Sequence, residues 1–161
     1  MRSPILLLAV ALALPFPACA KKVDLTKGLE VQDVSSGWWD SGMVKGQNKL
    51  VPTVSFKLKN VSDQQLGTLQ VNALFRRATK ENDEWGSGFI RVTGAEGLAP
   101  GATSNNVTVN SQLGYTGTEP RQEMLANSHF VDARVEIFAK YDATQWAKVA
   151  EVPITRRLIT R

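Results

Sequence analysis

The sequence VDARVEIFAKY at residues 131–141 decides the fold class. Every second residue from Val131 to Tyr141 is apolar or aromatic, and the residues between them are charged except for Phe138. Because successive side chains of a β-strand point to opposite faces, this alternation predicts a strand with one packed face and one charged face.

Further segments of the chain alternate in the same way and are separated by turn residues. The clearest lie at 54–59, 69–76 and 107–110, and weaker ones lie at 29–34, 85–93 and 145–155. Pro153 in the last segment indicates an edge strand, because proline cannot donate to a central ladder. About seven short strands predict an all-β protein, an immunoglobulin-like antiparallel β-sandwich, with a closed barrel as the alternative.

One short helix is predicted between these strands. Thr118 is placed to cap its start, Glu119 favours the positive end of the helix dipole, and Pro120 suits the first turn. The segment Gln122 to Ala126 would continue it for about two turns.

The N-terminus has the features of a cleavable export signal. Arg2 precedes the apolar run Ile5 to Leu14, and the small-x-small pattern Ala18-Cys19-Ala20 follows it. This run is shorter than the roughly 20 apolar residues that a membrane-spanning helix needs, so we expect no transmembrane span. The predicted organisation is a signal peptide at 1–20, a mobile leader at 21–28 and a single β-sandwich domain at 29–161, exported to the periplasm or secreted.

Cys19 leaves an alternative to simple cleavage. A bacterial lipoprotein signal also ends at a cysteine, which is then acylated and anchors the protein to the membrane. That signal usually has leucine and a small residue at the positions that Phe16 and Pro17 occupy here. We therefore expect cleavage after Ala20, with lipid anchoring at Cys19 as the alternative.

The charge pattern argues against nucleic acid as a partner. The chain carries 19 basic and 15 acidic residues, a formal net charge of +4. The basic residues are scattered in small groups such as Arg76/Arg77 and Arg156/Arg157, whereas nucleic-acid binders concentrate them in a stripe or a recognisable motif. We expect these charges to form a solvated surface.

Residues 51–113 resemble the exported bacterial immunoglobulin-like domains of the FxLYD type. The resemblance is carried by VPTVSFKLKN at 51–60, LQVNALF at 69–75 and the turn LAPG at 98–101. In that family a strand ending in asparagine leads into a strand with an aromatic residue, and a Leu-x-Pro-Gly turn opens the next. Here Phe75-Arg76-Arg77 stands in place of the family's tyrosine-aspartate ending. The resemblance implies the fold and an envelope location, and it implies no catalytic residue.

No set of residues points to catalysis, a metal or a cofactor. The chain has one histidine, His129, and a typical zinc site needs several histidine or cysteine ligands. No nucleophile elbow, phosphate loop or dinucleotide fingerprint occurs. A hydrolase using loop carboxylates stays open as a minor alternative; its candidates are Asp40, Asp83, Glu84, Glu96 and Glu123.

The aromatic residues give the best candidates for binding. Trp38, Trp39 and Asp40 lie in a stretch, 35–49, that is rich in serine, glycine and lysine and is predicted to be a flexible loop. Adjacent tryptophans of a strand face opposite ways, so at most one of them can join the core. Tyr115, between two glycines, could share a rim with that loop. Trp85 and Trp146 begin predicted strands and are expected to fill the core or its rim.

These observations predict a non-catalytic exported envelope module that binds a protein partner. Its binding residues would be Trp38, Trp39, Asp40 and Tyr115. The alternative is a carbohydrate- or peptidoglycan-binding domain in which an exposed tryptophan stacks on a sugar.

Overall fold

The computed structural model describes residues 21–78 and 83–160. The predicted signal peptide, including Cys19, lies outside these residues. The described chain forms nine strands and two short helices. In chain order they are α1 Leu25–Gly28, β1 Leu29–Val44, β2 Gln47–Asn60, β3 Gln70–Arg77, β4 Glu84–Arg91, β5 Val107–Asn110, β6 Tyr115–Gly117, α2 Arg121–Ala126, β7 Ala133–Lys140, β8 Ala147–Pro153 and β9 Leu158–Ile159.

The strands form two sheets that pack face to face. One has the order β5-β2-β1-β9, with β6 also paired to β2, and the other has the order β4-β3-β7-β8. All pairs are antiparallel except the short β1–β9 pair. The predicted β-sandwich is therefore confirmed, with nine strands instead of about seven and two helices instead of one.

The alternating segment that decided the fold class forms β7 in the interior of the four-stranded sheet. Its core-facing residues Ala133, Val135, Ile137 and Ala139 are buried, and the residues between them are only partly buried. Strand β3 supplies a second buried set, Val71, Ala73 and Phe75, and β2 supplies the opposing one, Val54, Phe56 and Leu58. Each fully buried valine, leucine, isoleucine or phenylalanine among them contributes about 1.5–3 kcal/mol relative to exposure.

The stretch predicted to be a flexible loop is a long β-hairpin. Strand β1 continues through Trp38 and Trp39 to Val44, and β2 begins at Gln47. The turn between them is Lys45-Gly46, and both residues have positive φ values, 50° and 78°. A two-residue turn of this kind matches the twist of paired strands, and its glycine accepts the left-handed conformation without strain. The prediction of a loop at 35–49 was wrong, because most of this stretch pairs with β2 despite its serine and glycine residues.

The segment predicted to be a mobile leader contains α1, which packs against the domain. Leu25 is buried in the core. The Val23 backbone N–H donates to the Tyr141 hydroxyl at 2.7 Å, and the Asp24 carboxylate caps the helix through the Thr26 N–H at 3.0 Å. These contacts attach residues 23–28 to the sandwich.

Helix α2 begins later than the sequence predicted. Pro120 is the N-cap and no side chain caps the helix, so Thr118 and Glu119 lie before it. Met124 and Leu125 are buried and cover one end of the sandwich.

The edge position predicted for Pro153 is confirmed, because β8 is the outer strand of its sheet. The Ser36 hydroxyl donates to the Pro153 carbonyl at 2.8 Å and accepts from the Thr155 N–H at 3.1 Å. This pair of bonds joins the edge of one sheet to β1 of the other.

Candidate functional site

Four aromatic rings meet at the end of the sandwich that α2 covers. Trp38 lies at their centre, with ring centroids 4.5 Å from Phe130, 5.6 Å from Trp85 and 6.4 Å from Tyr115. All three contacts are edge-to-face, the arrangement that aromatic quadrupoles favour. The proximity of Tyr115 to Trp38 is thus confirmed, and we call these four residues the aromatic cluster.

The register of β1 decides which tryptophan enters this cluster. Trp38 pairs with Pro52 and Trp39 with Val51, so the two indoles point to opposite faces of the sheet. Trp38 has 0% of its surface exposed, whereas Trp39 is half-buried. The prediction that at most one could join the core is confirmed. The prediction that Trp38 contacts a ligand is therefore wrong, because its side chain is fully buried and packs against the residues around it.

Tyr115 is the member of the cluster that reaches the surface. Strand β6 pairs with β2 and places Tyr115 opposite Leu50. Its hydroxyl donates to the His129 carbonyl at 2.8 Å and accepts from the Val131 N–H at 3.2 Å. Its ring stacks on Phe130 with the centroids 4.5 Å apart and the planes at 25°. These contacts fix the ring, so its surface is presented in one orientation.

A cleft of about 160 Å³ opens on one side of Tyr115. Its apolar lining is formed by Tyr115, Met124 and Phe130, and polar groups come from Thr116, Glu119, Asn127 and His129. A mostly apolar concavity with a few polar groups at its edge is the usual form of a small binding site. We call it the Tyr115 cleft.

Gly117 forms part of the wall of the Tyr115 cleft. A β-carbon at this position would lie 2.6 Å from Glu119 Oε2 and 3.3 Å from Met124 Cε. The absence of a side chain here therefore keeps the cleft open.

Asp40 holds the helix that supplies Met124 to the cleft. Its carboxylate lies 2.5 Å from Arg121 Nε in the first turn of α2 and accepts from the Gly42 N–H at 2.9 Å. Burial opposes ionisation of Asp40, but the bonds from Arg121 and Gly42 outweigh it and lower the pKa of the carboxyl below its ordinary value. Asp40 thus joins β1 to α2 and positions one wall of the cleft.

Arg156, which the sequence predicted to be a solvated surface charge, holds another part of the cleft wall. Its guanidinium lies 5.3 Å from the Phe130 ring centroid and donates to the Phe130 carbonyl at 2.9 Å and the Leu125 carbonyl at 3.3 Å. It also pairs with Asp132 at 2.6 Å. A planar guanidinium can make several such contacts at once, so Arg156 fixes the loop that follows α2.

The half-buried Trp39 lines a different surface feature. Together with Asp40, Ser41 and Gly42 it forms a shallow depression of about 400 Å³. The four residues predicted as a binding site are therefore split: Tyr115 lies at the cleft, Trp39 and Asp40 at this depression, and Trp38 in the core.

Two aromatic residues that the sequence did not indicate as binding candidates lie on the outside of the four-stranded sheet. Phe89 and Trp146 are 61% and 39% exposed, and their ring centroids are 6.3 Å apart. Trp146 had been predicted to fill the core or its rim, and this was wrong. Trp85, by contrast, is buried as expected.

Three of the carboxylates considered for hydrolysis are engaged with their own neighbours. Asp40 pairs with Arg121, Asp83 lies 3.5 Å from Arg77, and Glu96 accepts from the Gly94 N–H at 2.8 Å. Within residues 21–78 and 83–160, no group of three or more histidine, cysteine, aspartate or glutamate side chains could hold a metal ion. In the same part of the chain, no helix is both long and apolar enough to cross a membrane.

The chain was compared with protein-family models, curated proteins and solved structures. No protein-family model matches the chain, and no curated protein matches it. Among solved structures, a Northeast Structural Genomics Consortium target, SoR45, has 12% identity and a TM-score of 0.46 over 81% of this chain and 88% of its own. A Bordetella pertussis protein provisionally named ApaA has 15% identity and a TM-score of 0.45 over 80% and 93%. The AT1g01470 protein of Arabidopsis thaliana has 12% identity and a TM-score of 0.47 over 91% and 92%.

Proposed function

We propose that this protein is a non-catalytic exported module that binds a protein partner in the bacterial envelope through the Tyr115 cleft. The observation that carries the proposal is the cleft itself: an apolar concavity beside a partly exposed tyrosine whose ring is held rigidly. The volume of about 160 Å³ suits one aliphatic or aromatic side chain rather than a whole small-molecule ligand. Rigid aromatic residues in pockets are the usual anchors of protein interfaces.

The walls of the cleft support this function because they need little ordering when a partner binds. The Asp40–Arg121 pair holds one wall and Arg156 holds the other. A surface that is already ordered loses less conformational entropy on association, so more of the contact energy appears as affinity.

The test is site-specific photo-crosslinking in the native envelope. A photoreactive amino acid replaces Thr116, an exposed residue that lines the cleft, and in a control replaces Val61, which is 46% exposed outside it. We expect one discrete protein adduct from position 116 and none of that mass from position 61. Equal adducts from both positions, or none from position 116, would contradict the proposal.

A cleft-filling variant makes the test specific. Gly117→Val places a side chain against the flexible ends of Glu119 and Met124, where both can move aside while the cleft is filled. Thr118→Val is the matched control, since Thr118 is exposed and lies outside the cleft lining. We expect Gly117→Val to abolish the adduct and Thr118→Val to retain it, with the same melting temperature in both.

A second candidate function is carbohydrate binding, favoured by the depression at Trp39. A half-buried indole beside the polar groups of Asp40 and Ser41 combines a stacking surface with hydrogen-bonding groups. A glycan that binds there should change the tryptophan fluorescence of the wild type and not of Trp39→Phe. Unchanged fluorescence across a panel of peptidoglycan fragments would remove this candidate.

The envelope location is tested separately by mass spectrometry of the mature N-terminus. We expect a free amino group on Lys21. An acylated Cys19 would instead establish the lipid-anchored form, and an intact Met1 would contradict export by a cleaved signal.

A further inference from the structure

The outer face of the four-stranded sheet carries a cluster of aromatic side chains. Phe89 on β4 and Phe138 on β7 flank Asn72 of β3 in one row across the sheet. Trp146, just before β8, contacts Phe89 with an edge-to-face geometry at 6.3 Å. Exposed apolar groups that cluster on a surface rimmed by charges mark interaction sites more often than single exposed residues do. We call Phe89, Phe138 and Trp146, with the neighbouring Arg91 and Lys140, the aromatic face.

The charges around the aromatic face are divided between its two ends. At one end Glu136 accepts from Arg76 at 2.8 Å and from Lys148 at 2.9 Å, and Lys148 also pairs with Glu151 at 2.5 Å. Arg134 joins the same group, since its Nε lies 3.4 Å from Glu151 Oε1, so the charges at this end are engaged with one another.

At the other end the positive charges have no carboxylate partner among the residues that the structure describes. Arg91 and Lys140 both lie opposite Gln70 and form a second row beside the aromatic residues. Within residues 21–78 and 83–160, neither has a carboxylate at salt-bridge distance. The Lys140 ammonium instead lies 5.0 Å from the Trp146 ring centroid. This end therefore presents two cations beside exposed aromatic rings, which complements an anionic ligand with apolar side chains.

The geometry of the rings distinguishes between anionic ligands. The planes of Phe89 and Trp146 stand at 83° to each other. They cannot both stack on consecutive flat groups, as a sugar chain or a row of nucleic-acid bases would require. A perpendicular pair in contact presents one ring face beside one ring edge, a surface that a single apolar side chain can cover.

We propose that the aromatic face binds an acidic segment of a protein, placing one apolar side chain against the rings of Phe89 and Trp146 and carboxylates against Arg91 and Lys140. This surface is separate from the Tyr115 cleft and does not depend on it. Its partner is defined by chemistry: an exposed peptide with two or more acidic residues flanking an aromatic or aliphatic one.

The first experiment selects peptides from a random display library on the immobilised protein. We expect the enriched peptides to be acidic and to contain an apolar residue. Enrichment of basic or neutral peptides, or no enrichment, would overturn the proposal. Tighter binding of single-stranded DNA or of an anionic polysaccharide than of the selected peptide would overturn it equally.

The second experiment measures the affinity of an enriched peptide by fluorescence anisotropy. The variants are Phe89→Ser and the double change Arg91→Gln/Lys140→Gln. Their controls are Met43→Ala, which removes a side chain 66% exposed on the other sheet, and Lys45→Gln, which removes an exposed charge. We expect each test variant to weaken binding about tenfold and each control to change it less than about twofold.

Salt and the cleft variant complete the test. Raising ionic strength from about 0.05 M to about 0.5 M should weaken peptide binding to the wild type severalfold and to the double variant little. Gly117→Val should leave peptide binding unchanged, so failure at the aromatic face and failure at the cleft give different results. Loss of binding in Met43→Ala, or full binding in Phe89→Ser, would place the peptide elsewhere and refute the assignment.

Discussion

The two adjacent tryptophans should differ sharply in their effect on stability. Replacing a buried tryptophan by alanine costs about 3–5 kcal/mol, and the three edge-to-face contacts of Trp38 place its cost in the upper part of that range. One effect opposes this loss. The buried Trp38 Nε1 has no hydrogen-bond partner in the described part of the chain, and removing an unpaired buried donor regains about 1–3 kcal/mol. We therefore expect Trp38→Ala to cost about 4 kcal/mol and Trp39→Ala about 1–2 kcal/mol.

A third variant separates the ring contacts from the unpaired donor. Trp38→Phe keeps an aromatic ring in the cluster and removes the unsatisfied N–H, so its cavity cost and its polar gain act in opposite directions. We expect its free energy of unfolding to lie within about 1.5 kcal/mol of the wild type. Binding studies at this end of the sandwich should accordingly use Trp38→Phe, because Trp38→Ala would confuse lost binding with lost structure.

The assay is urea denaturation followed by far-UV circular dichroism, since the variants remove a fluorophore. For a domain of this size, 4 kcal/mol corresponds to a fall in melting temperature of about 8–16 °C. The reasoning fails if Trp38→Ala and Trp39→Ala cost the same. It also fails in part if Trp38→Phe costs as much as Trp38→Ala, which would mean that the indole N–H is satisfied.

Three further predictions concern single interactions. Hydrogen bonds from Arg76 and then Lys148 lower the pKa of Glu136 below its ordinary 4.5, so its stabilisation is present above that pH and is lost as the pH falls through the folded-state value. Glu136→Gln should therefore cost about 1–3 kcal/mol at pH 7 and little in strong acid; an equal cost at both pH values in urea titrations would contradict this. Asn60 is fully buried, and its side-chain amide donates to the Gln64 and Leu98 carbonyls at 2.8 Å each. Asn60→Ala should therefore lower the free energy of unfolding, measured by thermal melting, by about 2–4 kcal/mol. A loss of stability below about 1 kcal/mol would contradict this prediction. A β-carbon on Gly88 would lie 2.2 Å from Val109 Cγ1 of the opposing sheet, so Gly88→Ala should destabilise the sandwich by about 1–3 kcal/mol. The double variant Gly88→Ala/Val109→Ala should cost less than the sum of the two single costs, because the second change relieves the clash. Simple additivity of the free energies of unfolding would count against this contact.

The interior strands and the class of fold could be predicted from the sequence. Backbone geometry alone was enough to interpret the alternation at 131–141, because successive side chains of a strand point to opposite faces. The same rule predicted that Trp38 and Trp39 could not both be buried. The one departure from that alternation, Phe138 on an otherwise charged face, was the available signal for the aromatic face. It could not be interpreted without knowing which residues lie beside it on β3 and β4.

The site was predictable only in part, since its residues come from distant segments. The sequence allowed Tyr115 to share a rim with the Trp38 segment, and the two rings do lie close together. The cleft, however, depends on Phe130 and Met124, and their positions depend on Asp40 and Arg156. Arg156 and Phe130 are separated by the whole of β7 and β8, and no local pattern relates them.

There is a physical reason why some features could be predicted from the sequence and others required the tertiary structure. Side-chain alternation is a property of neighbouring residues, and charge balance is a property of composition, so both can be read from the amino-acid order. That order determined an all-β chain with one apolar face on each strand. Pairing register and sheet order are long-range properties, set by which apolar faces pack together. They alone decided that Trp38 is internal, that 35–49 is a hairpin, and that Phe89 and Trp146 meet on an outer face.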